Sequence, residues 1–346
     1  GKIEEKMGIH GSSTCSLSFG EKGGCRGILL GEPHSGMAKM FQMMNGARIN
    51  SAVSGMAMAG SAYRNALAYA AGRVQGRDIA GHAKKDVAII NHPDVRRMLL
   101  WMKAAVDGMR SMIYTAALWE DLATGLPSGP DQRRYQNLID FMTPILKAYC
   151  SDTGFRVCET AMQCLGGYGY CRDYPIERYL RDAKIMSLYE GTNGIQSIDL
   201  MGRKMTIRAG GCLTAFQGEI DHFCATHRQH PVLKEQVSKL ETTATMLWSC
   251  TREMISRMRT DPRQWASYTY PALLAYGEVA MAWRLIDIAA IACERAGKDG
   301  RKNSYFRGKV HQATWFVDTT LPHTQARIDI CLRPGREILE IPDNAF

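Results

Sequence analysis

The sequence predicts a mainly α protein: an antiparallel helical bundle, preceded by the last strands of a β-domain and followed by a second helical domain. Three observations predict it. Apolar residues recur at helical spacing through several long segments, and the clearest breaks between those segments are rich in Gly and Pro. Only residues 1–33, rich in Gly, Ser and Cys, alternate as strands do.

The elements follow in order. Ser16-Leu17-Ser18-Phe19 and Ile28-Leu29-Leu30, bounded by glycines, read as closing strands of a β-domain. From Gly36 to about Gly76 the chain turns Met- and Ala-rich, and Met40, Met43, Met44 and Ala47 fall on one face of a long buried helix. Asn91-His92-Pro93-Asp94 supplies capping residue types and a proline, and announces a second helix through Leu99, Val106 and Met109. Leu126 to Asp131, with two prolines and a glycine, is a loop. A third helix then runs to about Leu165, where Gly166-Gly167-Tyr168-Gly169 stops it. A short charged segment leads to a fourth helix, from near Thr192 through Met205. Beyond Gly210-Gly211, helical patterning covers Val237 to Met258, Tyr270 to Ala296 and Ser304 to about Leu332. The expected division is therefore 1–33, 34–210 and 211–346.

Composition bounds the class of protein. The 346 residues are 45% hydrophobic, enough for one large core or two medium ones. The most apolar stretch, Ala272 to Cys293, is broken by Glu278, Arg284 and Asp287, so no membrane span is expected. Eleven scattered cysteines without a CxxC pair read as free thiols in a reducing compartment. A net charge of +9 suits an acidic ligand such as a nucleotide or coenzyme A, and equally a nonspecific polyanion, so it selects no partner. The chain begins at Gly1, without an initiator methionine and in sequence resembling the middle of a sheet, as expected where the natural N-terminus was removed or not included.

Four local features are candidates for chemistry, and each has a plainer reading. Leu165-Gly166-Gly167-Tyr168-Gly169-Tyr170 offers glycines through which backbone amides can approach a phosphate, but it follows a helix, and a helix stop with a turn is the simpler account. In Tyr189-Glu190-Gly191-Thr192 an acid sits at a turn before a helix. A carboxyl in a nonpolar pocket becomes a base near neutral pH, whereas the pattern by itself favours a capping or solvated glutamate. Arg48 and Arg73 fall in the first helix, where a buried guanidinium needs an anion or a carboxylate, and a structural ion pair is the default. The charged run from Asp173 to Asp182 reads as a solvated or interface network. The histidines show no metal-ligand spacing and no GxSxG elbow occurs, so no metal and no serine hydrolase are expected.

Taken in order, these pieces resemble the C-terminal half of the acyl-CoA dehydrogenase family. The strongest match is AMQCLGGYGYCRDYPIERYLRDAKIMSLYEGTNGIQ, residues 161 to 196, which is similar to the family's linked GG-turn, YP-x-E-x-x-x-RDA segment and YEGT turn. GEPHSGMAKMFQMMNGAR and AYAAGRVQGR resemble its first bundle helix. FRGKVHQATWFVDTTLPHTQARI and the EIPDNAF ending resemble the extra helical domain of the family's long branch, of about 600 residues. The resemblance implies Glu190 as the catalytic base, with Arg48, Tyr189 and Gly191 at the acyl-CoA. It implies Arg73, Gln75, Gln163, Gly166, Gly167 and Thr192 as FAD contacts, some made across a dimer interface. Two positions depart from the family pattern: RVQG lacks the usual aromatic beside Gln75, and Gly194 replaces a polar flavin contact. The family's N-terminal helical domain and most of its β-domain lie outside these residues.

The implied reaction is α,β-dehydrogenation of an acyl-CoA to a trans-2-enoyl-CoA, with electrons passed to an electron-transfer flavoprotein. The implied setting is a homo-oligomer, dimer or tetramer, in the mitochondrial matrix or a bacterial cytoplasm. The rival reading is a noncatalytic structural or nucleic-acid-binding relative, motivated by the missing front half and the positive charge.

Overall fold

A computed structural model of the chain describes residues 2–296, 303–333 and 335–346. Ten α-helices and two short strands order as α1 (Gly36–Gly72), β1 (Val74–Arg77), β2 (Asp86–Ala88), α2 (Pro93–Gly125), α3 (Pro130–Leu165), α4 (Ile176–Ala183), α5 (Asn193–Ile198), α6 (Met205–His227), α7 (Lys234–Thr260), α8 (Pro262–Ala296), α9 (Asn303–Leu332) and α10 (Glu337–Glu340). α1, α2 and α3 pack on one another, and α8 packs along α9 with α7 beside both. α6 and α8 join the two groups by lying on α3 and α2. The joint is aromatic: Phe141 of α3 stacks on Phe216 of α6 with centroids 4.8 Å apart, and Tyr276 of α8 meets Phe141 edge-on at 5.4 Å. Among the described residues no helix is long and apolar enough to cross a membrane.

Several helix ends differ from the expectation. α1 stops at Gly72, not Gly76: Arg73 makes the last bond, to the Tyr69 carbonyl at 2.8 Å, and turns extended. Val74 then opens a two-stranded antiparallel ribbon, and Gly76, at φ +76°, bends it. Pro93 is the first residue of α2, as expected, but the His92 side chain does not cap that helix. Instead His92 Nε2 donates to the Gln75 carbonyl at 2.7 Å, tying the ribbon to the start of α2. α8 begins at Pro262, eight residues before the expected start, and carries Pro271 inside it. One missing backbone donor is tolerated there because buried Trp265, Thr269 and Ala272 hold the helix against its neighbours.

The first segment departs most. Neither 16–19 nor 28–30 forms a strand, and the segment's one bridge among the described residues pairs Ile3 with Cys15. Alternation marks a strand that has a face to bury, and Leu17, Phe19, Ile28, Leu29 and Leu30 here stand exposed without partners. The segment is held to the bundle by α4: the Ile9 amide donates to Asp182 at 2.6 Å, and Arg181 donates to the Met7 carbonyl at 2.8 Å. The charged run at 173–182 is thus partly a docking surface.

The α1–α3 crossing is set by glycines. A Cβ on Gly154 would lie 2.6 Å from the Gly55 carbonyl oxygen and 2.9 Å from its carbon, and a Cβ on Gly55 would lie 2.9 Å from the Cys150 oxygen. Those neighbours are backbone and cannot swing aside, so Gly154→Ala must push the helices apart. The expected cost is about 1–3 kcal/mol, read as a lower urea midpoint at unchanged slope.

Candidate functional site

The site forms where the chain leaves α4 and enters α5. Glu190 and Gly191 are both left-handed, at φ +59° and +83°. For a non-glycine residue that conformation costs roughly 1–2 kcal/mol and persists only where neighbours enforce it. Two neighbours do. Gln196, fully buried, donates through Nε2 to the carbonyls of Glu190 at 3.3 Å and Gly191 at 3.2 Å. Thr192 caps α5, its hydroxyl accepting from the Ile195 amide at 3.4 Å. Gly191 favours glycine on two counts: its φ of +83°, and a Cβ there would come within 2.8 Å of the Gln196 Nε2 that holds the turn.

Arg48 enters this turn from α1. It is 6% exposed, and its Nη2 is 3.9 Å from where a Cβ of Gly191 would lie. Its Nη1 pairs with Asp199 at 3.5 Å. Asp199 opens a π-helical turn, Asp199–Lys204, between α5 and α6, and also accepts from Arg203 Nε at 2.7 Å. Such widened turns recur at functional sites, and this one aims Asp199 inward at Arg48. Three polar atoms of this turn and its neighbours have no protein partner although buried: Arg48 Nε, Glu190 Oε2 and Gln196 Oε1. Glu190 therefore presents a buried carboxylate oxygen with no protein partner, on a turn that Arg48 flanks.

The π turn is anchored just beyond. Ile207 turns extended, and Arg208, Ala209 and Gly210 are consecutively left-handed. Arg208 is tied to α3, donating to Asn137 at 2.8 Å and to Asp140 at 2.7 Å, and Lys204 reaches the same Asp140 at 2.8 Å.

The remaining candidates gather elsewhere. Arg73 lies exposed at the end of α1, with its guanidinium 5.6 Å from the Tyr168 ring centroid. Tyr168 belongs to the turn after α3, where Gly166 is left-handed at φ +60°. Among the described residues, no atom other than those of the chain neighbours lies within 4 Å of where a Cβ of Gly166 or Gly167 would sit, so this turn is open to an incoming group. Gln163 is exposed on the last turn of α3, and Gln75 faces solvent on β1. An exposed guanidinium beside bare backbone suits the phosphates of a dinucleotide, so these residues fit FAD. Arg48 and Arg73 stand 25 residues apart on one helix, about 37 Å at 1.5 Å per residue. The Glu190 turn beside Arg48 and the Gly166–Gly167 turn beside Arg73 therefore lie far apart along α1. The Tyr189 hydroxyl donates to Met186 Sδ at 3.0 Å.

Sequence reasoning missed Lys147, Asn193, Gln196 and Asp199. Lys147 alone left a signal, as a single cation within the apolar run from Phe141 to Tyr149.

Residues 34–206 match the family described as "Acyl-CoA dehydrogenase, C-terminal domain", and residues 216–342 match "Acetyl-CoA dehydrogenase C-terminal like". The chain is 33% identical to a butyryl-CoA dehydrogenase of Syntrophomonas wolfei over 99% of its own length and 58% of that protein's. It is also 33% identical, with the same coverage of both, to the broad-specificity linear acyl-CoA dehydrogenase FadE5 of Mycobacterium tuberculosis. A Ruegeria pomeroyi 3-methylmercaptopropionyl-CoA dehydrogenase is 31% identical over 94% of the chain and 54% of that protein. In fold, the chain superposes on Caenorhabditis elegans ACDH-11, solved with C11-CoA, with a TM-score of 0.78 at 19% identity, covering 99% of the chain and 54% of that structure. It thus spans little more than half the length of the proteins it matches. With residues 34–206 and 216–342 both matched, the chain belongs to the acyl-CoA dehydrogenase family.

Proposed function

We propose that this chain supplies the base and one wall of the flavin site in an FAD-dependent acyl-CoA dehydrogenase that converts an acyl-CoA to a trans-2-enoyl-CoA. The observation that carries the reading is the buried, unpartnered Glu190 oxygen, held on a left-handed turn beside Arg48. Glu190 takes the α-proton as the α C–H bond breaks. The Glu190 amide, left free by the turn, is the donor assigned to the thioester carbonyl, because an ordinary α-proton is too weakly acidic for a carboxylate. FAD, when bound, accepts the hydride leaving the β-carbon. Electrons pass on to an electron-transfer flavoprotein.

Arg48 and Asp199 wall the turn, with Ile195, Ile198 and Trp265 lining the apolar opening beside them. Arg73, Gln75, Gln163, Gly166 and Gly167 hold FAD, and the roughly 37 Å between Arg48 and Arg73 supports a homodimer or larger assembly in which each flavin lies between two chains. The eleven free thiols suit a reducing compartment.

The test is anaerobic addition of straight-chain acyl-CoAs, butyryl-CoA first, to the FAD-loaded protein, with the expected result that the oxidised flavin's visible absorbance bleaches. A colourless protein whose binding to DNA falls steeply with salt would overturn the reading. Arg73→Leu should weaken FAD retention by about tenfold on ultrafiltration, the loss of one charge-assisted contact.

A further inference from the structure

Lys147, in the middle of α3, is the one lysine of the described residues with no exposed surface at all. It lies at the base turn and not at the aromatic joint. Its Nζ donates to Asn193 Oδ1 at 2.9 Å. Asn193 is the first residue of α5, three positions after Glu190, and it is locked from its other end. Its Nδ2 donates to the Ala148 carbonyl at 3.2 Å and to Ser151 Oγ at 3.0 Å, both on α3. The side chain of Asn193 is thus a plug, seated in α3 between Lys147 and Ser151, that fixes where α5 begins. The left-handed pair Glu190 and Gly191 must close the gap between that fixed point and α4.

We propose that Lys147 is a positioning residue for the proposed base: its buried ammonium, held on Asn193, seats the start of α5 and thereby keeps Glu190 and its amide aimed at the thioester. The inference rests on the dehydrogenase reading above. The charge, and not only the shape, is what this role requires. The groups that face the ammonium from the packed elements are Asp152 on α3, Arg48 on α1 and Glu190 on the turn. Burial pushes the Lys147 pKa down to about 8, with Asp152 and Glu190 opposing that fall and Arg48 adding to it. The ammonium is therefore present at neutral pH and is lost just above it. A neutral amine makes a weaker bond to Asn193 than an ammonium does, so the seat loosens on the alkaline side.

The test uses the FAD-loaded protein and butyryl-CoA. Lys147→Met, close in length and uncharged, should lower kcat about tenfold or more while KM changes less than about threefold, because the residue touches no substrate. Amide exchange in residues 189–196 should quicken about tenfold while the α8–α9 pair is unchanged, a readout that needs no turnover. Wild-type kcat should fall with an alkaline limb near pH 8. Asn193→Asp places a carboxylate on the ammonium, at the loss of the Nδ2 bond to the Ala148 carbonyl, and should move that limb to higher pH. Unchanged kcat and unchanged exchange in Lys147→Met would overturn the proposal, as would an alkaline limb that stays in place in Asn193→Asp. Should Lys147→Met fail to fold, the shift in Asn193→Asp decides alone. Failure of the dehydrogenase reading looks different: the wild-type flavin stays oxidised with every acyl-CoA, and the lysine proposal falls with it.

Discussion

Glu190→Gln is expected to lower flavin reduction by about 10³-fold or more, the loss of a general base, while FAD and acyl-CoA still bind. Glutamine matches the carboxylate in shape, keeps an oxygen at the buried, unpaired position, and cannot take the α-proton. The turn need not change, since Gln196 holds it through the carbonyls of residues 190 and 191 and not through the side chain. Rapid-mixing absorbance at saturating butyryl-CoA separates the steps: the charge-transfer or binding signal should persist and the bleaching should vanish. Undiminished bleaching would remove Glu190 from the role.

The second large effect concerns the added helical domain. Glu278, 6% exposed in the middle of α8, accepts from Arg327 Nε at 3.0 Å and from Thr324 Oγ1 at 2.9 Å, both on α9. Burial raises its pKa, with Arg327, Thr324 and His323 working in the opposite direction. Arg327→Met removes the largest opposing influence and leaves the carboxyl with only the Thr324 hydroxyl and the lesser influence of His323. The expected loss is about 3–5 kcal/mol of unfolding free energy at neutral pH. The sign with pH follows from proton binding. A carboxyl whose folded pKa exceeds its unfolded value binds more protons when folded, so stability falls as pH climbs from the unfolded range, about 4.3, through the folded value. Removing Arg327 raises the folded value further and deepens that fall. Urea unfolding at about pH 5 and about pH 8 should therefore show the larger deficit at the higher pH, and an equal deficit at both would contradict the account.

What the sequence made legible was local. Pro93 and Gly166 mark helix ends by backbone chemistry that needs no partner, and both act where expected. The YEGT turn was legible for the same reason, since Gly191 supplies a positive φ and Thr192 a cap within a few residues. What stayed hidden depends on distant residues. Lys147 and Asn193 are 46 positions apart, and no local pattern announces that one seats the other. Asp199 looked like one more helical acid until the π turn aimed it at Arg48 from the far side of the sequence. The exposed segments at 16–19 and 28–30 failed in the opposite sense: alternation was plain, but a strand is a relation between two stretches of chain, and no partner faces them here. The early start of α8 was hidden too, because tertiary packing carries that helix through Pro271.

On the proposed reading of the flavin site, the length of α1 would turn assembly into a kinetic variable. With Arg48 at one station of the rod and Arg73 about 37 Å along it, a flavin shared between chains would be held only while two copies stay together. Specific activity per chain would then follow protein concentration, falling on dilution through the dissociation constant of the pair and recovering as FAD or a second chain is added.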